Sequence, residues 1–224
     1  MAITFDAANN GGQGSNEVPT VAITVAADAT LAVIAINAGN GAPGTVLFNG
    51  NAVTAIADLV STNGWDHSYL YYYVLQGGDK GGSKNVTADG SPEEGAMGVV
   101  TLKGTETSSP VRASNTAEND TDGPVTVDVG GLTAGDWVID GVAWYDNQVL
   151  TEGAGQTDRT QIGGANSGSG IAMSTEEATG ASVTMSWTNA SLDDGWATVA
   201  VAIKAAAEEE ETTYPTVEII ADFV

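Results

Sequence analysis

The chain has 224 residues with 29 Asp plus Glu against 6 Lys plus Arg, a formal net charge of −23. Such a charge repels nucleic acid and anionic lipid, and no stretch reaches the ~18 apolar residues of a membrane span, so neither nucleic acid nor membrane is an expected partner. The absence of cysteine removes disulfides, thiol nucleophiles and thiolate metal sites, while 42% hydrophobic residues and 29 Gly suit short strands joined by glycine-containing turns.

In chain order, "AITFD" reads as a short first strand, followed by a Gly/Asn-rich loop, "AANNGGQGSNE". Strands follow over 20–27 and 31–37. In the second of these, Leu31 and Val33 fall on one face and Ile34 and Ile36 on the other, which marks a central strand covered on both sides. Asn49-Gly50 between two apolar runs is a hairpin signal. The segment 51–61 alternates Val53, Ala55, Ala57 and Leu59, as a strand does. An aromatic strand over 65–75 places His67, Tyr69, Tyr71 and Tyr73 on one face and Leu70, Tyr72 and Val74 on the other. "GAMGVVTLKG" (95–104) is a further strand, and the polar, turn-rich 105–123 reads as a long surface loop. "PVTVDV", "GDWVIDGVAWYD", "GIAMST", "ASVTMSW" and "GWATVAVAIK" complete roughly a dozen strands by pattern and leave no convincing helix. The expected fold is all-β, an antiparallel two-sheet sandwich of jelly-roll or concanavalin-like type. No internal repeat is visible. Central strands apolar on both faces favour one domain over 1–204 rather than two immunoglobulin-like halves divided within 105–123.

Beyond Lys204, residues 205–213 ("AAAEEEETT") form an acidic linker that self-repulsion keeps extended. Residues 214–224 ("YPTVEIIADFV") then return to period-2 amphipathicity. Val217, Ile219, Ala221 and Phe223 share one parity, with Glu218 and Asp222 on the other. Such a strand needs a sheet edge or a groove. It either closes its own domain or pairs outside it, with a neighbouring copy or a larger scaffold, and the spacer favours the second. Tyr214, Val217, Ile219, Ile220, Phe223 and Val224 are therefore candidate interface residues, together with the row Tyr69, Tyr71 and Tyr73.

The chemistry-bearing candidates are sparse. Asp66, His67 and Ser68 adjoin, but neighbours on a strand point to opposite faces and cannot form a relay with one another. The pairs Glu93-Glu94, Glu176-Glu177 and Asp193-Asp194 arise readily among 29 acids and do not by themselves make a glycosidase pair. "ENDTDG" puts Glu118, Asp120 and Asp122 at alternating positions of an EF-hand-like loop. Val129 stands where the bidentate Glu is required, leaving at most a loose Ca²⁺ or Na⁺ site and no required cofactor. Trp65, Trp137, Trp144, Trp187 and Trp196 could serve as sugar-stacking platforms, but four of them border apolar strands, so packing is the default reading. "GANSGSG" and "GGDKGG" lack a P-loop Lys-Ser/Thr, and sequons stand at Asn85, Asn119 and Asn189. No enzyme is expected.

The stretch "VTMSWTNASLDDGWATVAVAIKAA" (183–206), a strand ending in Ser-Trp-Thr, a short loop and a Trp opening an apolar strand, resembles a recurring β-sandwich domain of tailed-virus structural proteins. "GNAVTAIAD" with "SYLYYYVL" resembles the earlier hairpin and aromatic strand of the same domain. The resemblance spans about 18–206 and implies a homo-oligomeric virion component: head decoration, turret, fibre or tail accessory, associated with other virion proteins and open to a host-surface glycan. It carries over no catalytic residue. The acidity points to a halophilic, archaeal host, because in molar salt the Debye length falls to ~3 Å and self-repulsion is screened. The first residues show no basic n-region or apolar run, so no secretory signal is expected, consistent with assembly in the host cytoplasm. The alternative is a carbohydrate-binding β-sandwich module acting in surface adhesion.

Overall fold

The computed structural model describes residues 1–62, 64–119, 123–145, 148–163, 168–189 and 195–207. The strands of the first half are β1 (Thr4–Ser15), β2 (Val21–Val25), β3 (Ala29–Gly39), β4 (Val46–Phe48), β5 (Asn51–Ala52), β6 (Thr54–Val60), β7 (His67–Val74), β8 (Gly82–Ala88) and β9 (Glu94–Lys103). Those of the second are β10 (Val111–Asn119), β11 (Val125–Gly130), β12 (Trp137–Tyr145), β13 (Thr151–Glu152), β14 (Thr157–Ile162), β15 (Ser169–Glu177), β16 (Ser182–Thr188) and β17 (Trp196–Ile203). Among the described residues there is no α-helix, only a 3-10 turn at Gly77–Asp79. The Asn49-Gly50 turn joins β4 to β5 with φ of 49° and 83°, both positive as a type I′ hairpin demands.

The fold is all-β and antiparallel, and the sandwich is doubled: four sheets rather than two. Two inner sheets, β1-β9-β3-β7-β6 and β10-β17-β12-β15-β14, pack face to face. Each also carries an outer sheet, β2-β8-β4-β5 on the first and β11-β16-β13 on the second. Alternation along the inner strands dictates this layering. Leu31, Val33 and Ala35 of β3 enter the central core with Ile139, Ala143, Ile171, Met173 and Val199, while Ala32, Ile34 and Ile36 turn into the core under the first outer sheet.

The strand order repeats. Substituting β10, β17, β12, β15 and β14 for β1, β9, β3, β7 and β6 converts one inner sheet into the other, and β11-β16-β13 matches β2-β8-β4. Irregularities repeat as well. The first strand of each half bulges at Asp6 and at Arg112, against Leu102 and Ile203 respectively; β6 and β14 bulge at Ile56 and Arg159. The halves thus share a register that their residues do not show. Carried across the ladders, it sets Ala35 equivalent to Gly141, Ile34 to Asp140 and Gly39 to Tyr145.

Two expected loops are strands. The Gly/Asn-rich stretch after "AITFD" continues β1 to Ser15, because its glycines allow a crowded approach. A Cβ on Gly12 would lie 2.6 Å from Ile162 Cδ1, and one on Gly11 3.2 Å from Val21. Residues 111–119, expected within a surface loop, form β10. It is an edge strand pairing only β17, and Ala113 and Ala117 turn toward the core. The short or polar strands β8, β13 and β14 had no counterpart in the sequence pattern.

The inner sheets come closest where β3 crosses β12. A Cβ on Gly141 would stand 2.6 Å from Ala35 Cβ and 3.3 Å from Leu70 Cδ1. Gly141→Ala is expected to destabilise the protein by about 1–3 kcal/mol through overpacking. Gly130→Ala, with nothing within 4 Å of its Cβ, is the control and should shift the urea midpoint little; equal midpoints for the two variants would contradict the close crossing.

Candidate functional site

The tyrosine row lies on the outer face of β7, where the first outer sheet covers it incompletely. Tyr69, Tyr71 and Tyr73 are half-buried against the core beneath that sheet. Tyr73 stacks on Phe48 at 5.3 Å and donates to Asp79 (2.7 Å), which also accepts from Asn49 and so ties the hairpin turn to the row. Tyr69 and Tyr71 stack at 6.4 Å. His67 does not engage Asp66 or Ser68, as strand alternation requires. Its Nε2 lies 3.3 Å from Asp58 on β6, and its Nδ1 lies 2.8 Å from Tyr69 Oη. The resulting Asp58–His67–Tyr69 chain has the outline of a relay but ends in an unreactive phenol. Burial, then the Asp58 charge, pushes Tyr69 up to about 12, and its hydroxyl also donates to the Gly41 carbonyl.

Glu118, proposed from sequence as a metal ligand, sits on β10, where its carboxylate accepts hydrogen bonds from Thr62 Oγ1 (2.9 Å) and Thr62 N (3.4 Å). Asp120 and Asp122 lie outside the described residues, as do Tyr214, Val217, Ile219, Ile220, Phe223 and Val224. Among the described residues no group of three His, Asp or Glu side chains is arranged to hold a metal ion.

Among the described residues, an arrangement suited to a ligand is an open cleft at one end of the seam between the halves, lined by Gly39, Trp65, Glu93, Glu94, Tyr145 and Ser169. Strands β3 and β12 both end there, so Gly39 and Tyr145 meet as structural equivalents. Trp65, just before β7, is 49% exposed, and its ring lies 6.2 Å from that of Tyr145, tilted by 44°. The other four tryptophans are buried or half-buried, as their packing role requires. Glu94 bridges the seam: its Oε2 accepts the Ser169 backbone N–H at 3.0 Å. Beneath it, Asn37 is buried and donates to the carbonyls of Trp144 and Gly170 in the other half, fixing the floor. Ser169 is 1% exposed, and its Oγ has no hydrogen-bond partner. The absent side chain of Gly39 keeps the floor open, since a Cβ there would stand 2.7 Å from Ser169 Oγ. Among the described residues no Lys or Arg lines the cleft.

Sequence reasoning missed Tyr145 and Ser169 as site residues, because the seam joins segments distant in the chain, Glu94 and Ser169 being 75 residues apart. The signal available for Glu93-Glu94 was only one acidic pair among several.

A second buried polar feature was marked by a lone acid inside the apolar run "WVIDGVAW". Asp140 is fully buried between the second inner and outer sheets and accepts from Trp187 Nε1 (2.6 Å), Ser174 Oγ (2.8 Å) and Ser174 N (2.9 Å). Gln156 extends the network to Ser174 Oγ and to Ser186 N. The equivalent position in the first half is Ile34, so the fold does not require an acid there.

No protein-family model, curated protein or solved structure matches this chain. The functional reading therefore rests on the residues themselves.

Burial raises the Asp140 carboxyl from 3.8 to about 6, against the opposing pull of its hydrogen bonds. The folded state thus holds this proton more tightly than the unfolded chain. Its contribution to stability is full below pH 3.8 and is lost as pH rises through about 6. Across that window the stability of the native protein relative to Asp140→Asn is expected to fall by roughly 3 kcal/mol, about 1.4 kcal/mol per unit. Denaturant unfolding of both proteins at a series of pH values checks this, and a difference independent of pH would refute it.

Proposed function

We propose that the protein is a structural component of a virion surface, from a tailed virus of a halophile, that assembles with its own copies and other virion proteins as a decoration, turret or fibre element. The observation that carries the reading is the pairing of a rigid twin sandwich with the sequence segment 214–224, whose apolar parity follows a run of four glutamates. A strand of that pattern gains from an open sheet edge on a second copy, and the edge strands β1, β6, β10 and β14 each have one unpaired side within the described sheets. In each half successive strands cross between inner and outer sheets except at the β4-β5, β6-β7 and β14-β15 hairpins, and β5 and β6 are two segments of one strand that changes sheet at Val53. This order supports a jelly-roll reading, an architecture found in viral capsid and lectin domains. The charge of −23 supports a high-salt setting. A carbohydrate-binding module is the second reading, favoured by the half-exposed Trp65 beside two glutamates.

The hydrogen-bonded body extends past Lys204. Ala205 bridges Thr105, and Ala206 donates to Gly104 and accepts from the Met1 amine. A truncation after Ala207 therefore spares the sandwich. Light scattering in molar salt is expected to give a defined oligomer for the full chain and a folded monomer for the truncation. Identical masses would remove the assembly role of 214–224, and an unfolded truncation would make that segment the sandwich's own closing strand.

A further inference from the structure

We propose that the seam cleft lined by Trp65, Tyr145, Glu93, Glu94 and Ser169 binds a single neutral sugar ring, the terminal residue of a surface glycan. The inference rests on the surface-component reading only for where such a glycan would be met; the site itself stands on geometry. A pyranose has one apolar C–H face and a rim of hydroxyls. Trp65 offers a half-exposed ring on which that face can stack, and Tyr145, tilted by 44°, closes one side of the wedge.

The polar groups match the rim. Ionised carboxylates accept hydrogen bonds, each sugar hydroxyl has one O–H to donate to them, and its lone pairs can accept from a hydroxyl such as that of Ser169. Glu94 is held in place by the Ser169 N–H through Oε2, and Glu93 stands beside it on the exposed lip. Ser169 Oγ is buried without a partner. A buried hydroxyl left unpaired costs free energy, and a ligand hydroxyl reaching the cleft floor would remove that cost. The missing side chain at Gly39 leaves the space for it. With no cation in the lining, the cleft disfavours acidic sugars and other anions.

One stacking tryptophan and a few polar groups offer contacts for a single ring, so recognition is of a chain end and individually weak. Repetition of the site over an assembly would supply the avidity that a single ring does not.

The test uses the full chain in molar salt, with methyl glucoside, methyl mannoside, methyl galactoside and N-acetylglucosamine as probes. Ligand-observed NMR and the change in Trp fluorescence are the readouts. Saturable binding of at least one probe is expected. Trp65→Ala should weaken it by about tenfold or more, the loss of one stacking partner. Ser169→Ala should weaken it several-fold without lowering the thermal midpoint, because that Oγ is buried and bonds nothing in the free protein. Gly39→Ala should abolish binding by filling the floor. Absence of binding to all four probes, or binding unaffected by Trp65→Ala and Ser169→Ala, would overturn the proposal. A Trp65-dependent response to tetramethylammonium but not to the sugars would overturn it too, making the wedge a cation cage. Light scattering on the same samples separates this outcome from assembly: loss of sugar binding with the oligomer intact rejects the site alone, and sugar binding by a monomer rejects the assembly reading alone.

Discussion

The close crossing of β3 over β12, at Ala35 and Gly141, governs the rest of the molecule. Two five-stranded sheets can bury each other's faces only if side chains at the crossing are small enough to let the backbones approach, and here one is a methyl and the other nothing. Interior packing of this density leaves no slack for adjustment. The consequence is that both inner sheets are covered on two sides, which is why β3, β9, β12, β15 and β17 are nearly unbroken runs of buried residues. All amphipathic alternation is displaced to the outer strands β2, β11 and β16, where buried and exposed positions alternate strictly or nearly so. The crossing also aligns the ends of β3 and β12 and so creates the seam on which the cleft sits.

What was legible in the sequence follows the same division. Inner strands announced themselves by apolar residues on both parities, and the Asn49-Gly50 hairpin by its turn chemistry. The strands that escaped notice, β1 beyond Asp6, β8, β10, β13 and β14, are those at edges or in the outer layer. Their stability comes from partners distant in the chain and not from their own composition: β10 is held by β17, and the glycines of β1 fit under Val21 and against Ile162. A glycine-rich strand and a glycine-rich loop have the same local signal. The repeated strand order was invisible for a related reason. Strand order and bulge positions depend on volume and hydrogen-bond register, so Ile34 can stand for Asp140 and Leu70 for Met173 without disturbing either.

The candidate site lay further from view than the fold. Trp65 and the adjoining glutamates were present as residues of ordinary type in ordinary loops, and nothing local distinguishes a surface tryptophan that packs from one that is left half-open. Tyr145 and Ser169 arrive from the other half, across a seam that only the three-dimensional register defines. The tyrosine row illustrates the opposite case. Alternation correctly put Tyr69, Tyr71 and Tyr73 on one face with His67, yet the burial of that face by Phe48 and its neighbours, and the link from His67 to Asp58, came from strand pairing.

The equivalence of Gly39 and Tyr145 has a consequence for how such a site can come about. A dimer of identical sandwiches, joined as these two halves are, would bring two copies of the same lip together where β3 and β12 end. Two tyrosines there would block the opening, and two glycines would leave it featureless. Covalent linkage of the halves removes that obligation. One lip can shrink to a bare backbone while the other becomes an aromatic wall, and the partner strands can likewise diverge, Asp66 on one side answering to Ser169 on the other. Broken symmetry is thus what a single chain makes available at this end of the molecule, and a symmetric pair of identical halves could not have it.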